Sequence, residues 1–155
     1  MFSPRICIPV FFLALPVAVF AQREKLPFDD LQFVQKNWPQ AKKTDTSIRY
    51  VIEREGYGLP PKPGDMVSVL YVGRLLDGTL FDKNQDKNHP FTFRVGREKV
   101  IRGWDEILPM MRPGEKRLVI IPSELAYGTR GYIPSIPRDA TLVFEIELLK
   151  VDREE

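Results

Sequence analysis

Cysteine and histidine are almost missing from this chain of 155 residues, which has one of each, Cys7 and His89. A single cysteine closes no disulfide within the chain, and one histidine cannot build a Cys/His zinc site. A basic block is missing too. The 23 Lys and Arg face 21 Asp and Glu, a net charge of +2, without the concentrated positive charge of a nucleic-acid binder. No Gly-rich phosphate-binding fingerprint occurs. Ser123 and Ser135 lie outside any nucleophile-elbow motif, and His89 precedes Pro90 in a polar loop where a solvated side chain is expected. No apolar run reaches the roughly 20 residues of a membrane-spanning helix. Neither cofactor nor metal is expected, and stable membrane insertion is not expected once the leader described next is removed.

Arg5 precedes an apolar run from Ile6 to Ala21, broken by Pro9 and Pro16 and ending in the small residues Val19 and Ala21. This predicts an export signal over residues 1–21, cleaved after Ala21, with an uncleaved anchor as the alternative. Cys7 goes with it, which is harmless in an oxidising compartment. Residues 22–46 form a polar extension with a possible short helix over Asp29–Asn37, capped by Asp29 and ended by Trp38-Pro39. Its sparse apolar face cannot fold alone, so it either packs on the rest or tethers it.

Fourteen prolines and ten glycines, with 43% apolar residues, favour short strands and many turns around a real core. Period-2 patterns mark Ile48–Ile52, Val67–Val72, Phe91–Val95, Lys116–Ile121 and Thr141–Val151. Asp77-Gly78 is a hairpin turn returning through Thr79-Leu80-Phe81. In the last strand Leu142, Phe144, Ile146 and Leu148 share a face. Ile101, Trp104 and Leu108 instead fall at helical spacing, closed by Pro109. The expected fold is α+β, a twisted antiparallel sheet of about five to six strands wrapped around one short helix, over residues 47–152.

Aromatic residues punctuate the strand ends, and such a set is ordinarily core. Their order is more specific. Val69-Leu70-Tyr71-Val72-Gly73, Asp77 to Asp82, Pro90-Phe91-Thr92-Phe93, Val100-Ile101-Arg102-Gly103-Trp104-Asp105, Leu125-Ala126-Tyr127-Gly128 and Ala140 to Leu148 together resemble the FK506-binding proteins, from about Ser47 to Val151. The resemblance implies peptidyl-prolyl cis–trans isomerase activity. It implies an apolar pocket with Trp104 as floor, Tyr71, Phe81, Phe91 and Phe144 as walls, and Val100 and Ile101 at the lip. The Ile101 N–H and the Tyr127 hydroxyl would bond substrate carbonyls, with Asp82 at the rim and Ile136 as an apolar contact. The implied partners are proline-containing polypeptides and FK506- or rapamycin-type macrolides.

The loop from Tyr127 to Ala140 is too short for the inserted chaperone domain of some bacterial relatives. Within it Ser135, Tyr132 and Arg138 depart from common family residues, as Lys83 and Asn84 do after Asp82, which bears on peptide preference and macrolide affinity. The extension is too short for a long dimerising helix, so a monomer is expected. The expected compartment is a periplasm, with secretion or an organelle lumen as alternatives. A proline-peptide docking module with incidental turnover is the competing reading, and a chance likeness in an unrelated all-β binder of carbohydrate or lipid is the remaining one.

Overall fold

The computed structural model describes residues 23–153, and the expected leader lies outside them. Chain order is α1 (Phe28–Asn37), β1 (Lys42–Lys43), β2 (Arg49–Arg54), β3 (Met66–Leu75), β4 (Leu80–Asn84), β5 (Phe91–Arg94), α2 (Arg102–Ile107), β6 (Lys116–Ile121) and β7 (Leu142–Asp152). All seven strands join one antiparallel sheet in the order β1-β2-β6-β7-β3-β4. β5 also pairs with β3: its Met66–Val69 half faces β5, and its Tyr71–Arg74 half faces β4. One long strand therefore divides its second edge between two short ones. The two-residue β1 accounts for a seventh strand, because so short a piece leaves no periodicity to read.

Two cores lie on opposite faces of the sheet. On one, α2 sets Trp104 and Ile107 against Leu142, Phe144, Ile146 and Leu148 of β7, which confirms the shared face expected for that strand. Gly103 makes this approach possible, since a Cβ there would lie 2.6 Å from the Ile121 side chain. A 3₁₀ turn, Leu108–Met110, continues α2, so Pro109 lies inside that turn rather than just beyond the helix.

On the other face, Leu26 and Val34 of the extension cover Ile120 and Val143, with Trp38 and Leu118 at the margin. The extension is thus packed on the domain and does not act as a loose tether. α1 starts one residue earlier than expected, with Pro27 at its N-cap and no side-chain cap. Asp29 is not the cap; it lies in the first turn beside Asp30, where the helix dipole favours negative charge. Asp30 accepts a hydrogen bond from the buried Thr141 hydroxyl at 2.6 Å, fixing α1 to the entry of β7. Glu24 forms a second fastening, accepting from both terminal nitrogens of Arg49 at 3.1 and 2.8 Å. Among the described residues no helix is long and apolar enough to cross a membrane.

Candidate active site

β3, β4, β5, β7, the α2 turn and the segment after β6 converge on a cavity of about 180 Å³. Trp104 lies at its base, 4% exposed, with edge-on rings around it: Tyr71 at 5.1 Å and 79°, and Phe144 at 5.3 Å and 81°. Phe91 approaches at 6.2 Å, and Phe81 stands edge-on to Phe144 at 5.5 Å and 88°. Edge-to-face contact brings the positive edge of one ring to the negative face of the next, so the walls stabilise one another. Exposure rises towards the mouth, to 36% for Phe91 and 38% for Tyr127.

Two features of the backbone place these rings. Gly73 pairs with Phe144 across β3–β7, and a Cβ at Gly73 would lie 2.7 Å from the Phe81 ring and 2.8 Å from Phe144. The glycine leaves the space that both rings occupy. On β4, Asp82 pairs with Gly73 and Leu80 with Arg74, so Phe81 is the extra residue of a bulge. The bulge interrupts the alternation of sides, and the consecutive side chains of Phe81 and Asp82 both line the cavity.

The polar members are few. The Tyr71 hydroxyl donates to Asp82 Oδ2 at 2.7 Å. Burial first, then this bond and the Asp82 charge, push the Tyr71 phenol well above its ordinary range. Burial and the Asp82 charge push Tyr127 in the same direction. Both phenols thus stay protonated at neutral pH. Among the described residues, neither the Tyr127 hydroxyl nor the Ile101 N–H has a hydrogen-bond partner, so both can donate to a ligand. The lip is fixed by Asp105, whose Oδ1 accepts from Gly96 N at 2.8 Å and Oδ2 from Glu98 N at 3.0 Å. Both residues have positive φ, 69° and 54°. The Asp105 bonds hold the tight turn that leads to Val100 and Ile101.

A second groove, of about 420 Å³, adjoins the first, sharing Phe81, Asp82 and Tyr127 and adding Tyr132, Ser135 and Ile136. Its loop is closed by paired backbone bonds between Tyr132 and Ile136, at 2.8 and 2.9 Å, and Tyr132 lies 5.7 Å from the Tyr127 ring. The structure therefore brings Tyr71, Phe81, Asp82, Phe91, Val100, Ile101, Trp104, Tyr127 and Phe144 to one cavity and sets Ile136 in the adjoining groove. Lys99, also at the first cavity, is a lining residue that the aromatic pattern does not reveal.

An aromatic cavity on an antiparallel sheet, crossed beneath by one short helix, is the arrangement of a known class of protein. Residues 58–149 match the model of the FKBP-type peptidyl-prolyl cis-trans isomerases, and the chain belongs to that family. Among its relatives, peptidyl-prolyl cis-trans isomerase FKBP2 of Mus musculus is 53% identical over 92 residues, 59% of this chain and 66% of that one. FK506-binding protein 1A of Aspergillus fumigatus is 48% identical over 92 residues, 59% of this chain and 82% of that one. The chain thus spans just under two thirds of the mouse protein's length. Two bacterial structures superpose with TM-score 0.71: a peptidyl-prolyl cis-trans isomerase of Pseudomonas syringae and FkpA of Escherichia coli. The first is 36% identical over 81% of this chain and 92% of its own, and the second 38% over 80% and 58%.

Proposed function

We propose that this chain accelerates cis–trans rotation about X–Pro bonds in exported polypeptides, by binding the twisted amide without covalent chemistry. The observation that carries this reading is the cavity itself: a ring-lined site with two donors at its mouth, Ile101 N–H and the Tyr127 hydroxyl, that have no partner among the described residues. Rotation is opposed by amide resonance, with a barrier of about 18–20 kcal/mol, and uncatalysed exchange takes tens of seconds or more. No bond must be remade, so the protein has only to hold the twisted amide better than the planar one.

The planar amide is the more polarised form, and moving it from water to an apolar site costs more than moving the twisted form. Trp104 as floor and Tyr71, Phe81, Phe91 and Phe144 as walls supply that environment for the proline ring. Val100 and Ile101 close the lip. The Ile101 N–H and Tyr127 hydroxyl hold the flanking carbonyls while the bond turns, and Tyr71 keeps the Asp82 carboxylate in place at the rim. A thousandfold acceleration needs about 4 kcal/mol off the barrier.

Residues 1–21 serve in this reading as a cleaved export leader, and the reaction takes place in a periplasm, by a monomer. N-terminal sequencing of the exported chain should begin at Gln22, and retention of Arg5 would contradict it. Macrolides of the FK506 class are expected to compete for the same cavity, as the names of several relatives suggest. The test of function is refolding of a protein whose slow phase is limited by a non-native X–Pro isomer. The slow phase should quicken with catalytic amounts of residues 22–155. A slow phase unchanged by equimolar folded protein would overturn the proposal.

A further inference from the structure

The cavity mouth carries a cation for which the isomerisation step has no use. Lys99 is exposed and borders the cavity beside Val100 and Ile101, and among the described residues no carboxylate pairs with it. The other charges nearby belong to the lip turn and to α2, not to the cavity lining. Both oxygens of Asp105 accept backbone N–H groups of the lip turn. Arg102 has Glu106 within 3.8 Å. Arg97 and Glu98, of opposite sign, sit on the same exposed turn. Among the residues that line the cavity, Lys99 is the one cation.

The other charge at the mouth is Asp82, which borders both the first cavity and the adjoining groove, whereas Lys99 borders only the first. The mouth is therefore negative where the second groove opens and positive on the side that groove does not reach. The Asp105 clamp fixes the backbone that leads into Lys99, because the turn before it is tied at two positions.

We propose that Lys99 is a specificity-determining residue, selecting substrates with an acidic side chain on the stretch of peptide that crosses the Val100–Ile101 lip. The inference rests on the isomerase reading above and names the class of peptide that the site prefers. An exposed ammonium–carboxylate pair is weak and screened by salt, so the preference is modest: about three- to fivefold at low ionic strength. It disappears near about 1 M salt, where the Debye length is about 3 Å.

The test uses end-capped Leu-Pro peptides bearing Glu, Ala or Lys after the proline, and a matching set with the substitution before the leucine. For each, kcat/KM for exchange and affinity by titration calorimetry are compared between the wild-type protein and Lys99→Glu, with the Ala peptide as the reference within each protein. The expected result is a three- to fivefold preference for Glu over Lys in one of the two sets, reversed by Lys99→Glu and compressed by salt. The same Glu-to-Lys ratio in both proteins, in both sets, overturns the proposal. If a folded wild type turns over none of the peptides, the isomerase reading fails. The affinities then decide the role of Lys99 by the same criterion.

Discussion

Replacing Glu24 by glutamine tests whether the N-terminal extension is a fastened part of the domain. The Glu24 carboxylate accepts from Arg49 Nη1 and Nη2 at 3.1 and 2.8 Å, takes the Leu26 N–H at 3.0 Å, and has Lys43 Nζ at 3.2 Å. The hydrogen bond from Arg49 leads in holding its pKa down from 4.5 to about 2, against burial, which raises it. That displacement caps the coupling to folding at about 3 kcal/mol. Glu24 is 28% exposed, so solvent screening reduces this to about 1–2 kcal/mol. Arg49, with a side chain 9% exposed, is left without its counter-charge in the variant, which brings the expected loss to about 2 kcal/mol. For a domain of this size that lowers the melting temperature by roughly 6–8 °C. A carboxylate with a depressed pKa stabilises above its unfolded value and loses that contribution as pH falls through the folded one. The gap between wild type and Glu24→Gln should therefore be full at pH 7, shrink below about pH 4.5, and close near pH 2. Urea midpoints across that range measure it. Equal midpoints at pH 7, or a gap that persists unchanged to pH 2.5, would show that the Glu24 carboxylate does not fasten the extension.

Gly73→Ala places a Cβ within 2.8 Å of the Phe81 and Phe144 rings, and should cost about 1–3 kcal/mol in urea unfolding along with most peptide affinity. Asp105→Ala frees two lip N–H groups; a folded variant is expected to raise KM about tenfold with a smaller change in kcat, and Asp105→Glu to recover part of the loss. Equal falls in kcat and kcat/KM would place Asp105 elsewhere in the reaction. Both cavity phenols are held above their ordinary value of 10.0, so kcat/KM should show no tyrosine limb between pH 6 and 9, and a decline centred near pH 8 would contradict their assigned state.

Where apolar residues recur at every second position along a strand the pattern is readable: Leu142, Phe144, Ile146 and Leu148 announce their shared side of β7. Val143 and Ile120, on the opposite side, gave no such signal, because the cover they require comes from Leu26 and Val34, far away in sequence. Local spacing located Trp104 on its helix. It could not show that Pro109 sits within a 3₁₀ turn, or that Pro27 precedes α1 where Asp29 looked like the cap. The aromatic members of the cavity were legible through their order along the chain. The bulge that turns both Phe81 and Asp82 inward was not, since it is a property of strand register, and Lys99 had no feature to separate it from any surface lysine.

Isomerase activity is tested most simply by exchange of a short Leu-Pro-Phe peptide, followed by magnetisation transfer, with residues 22–155 present and with rapamycin added. Rapid exchange that is abolished by the macrolide is the predicted result, joining the reaction to the aromatic cavity. A folded protein that leaves the exchange rate at its uncatalysed value would show that the cavity does not catalyse rotation.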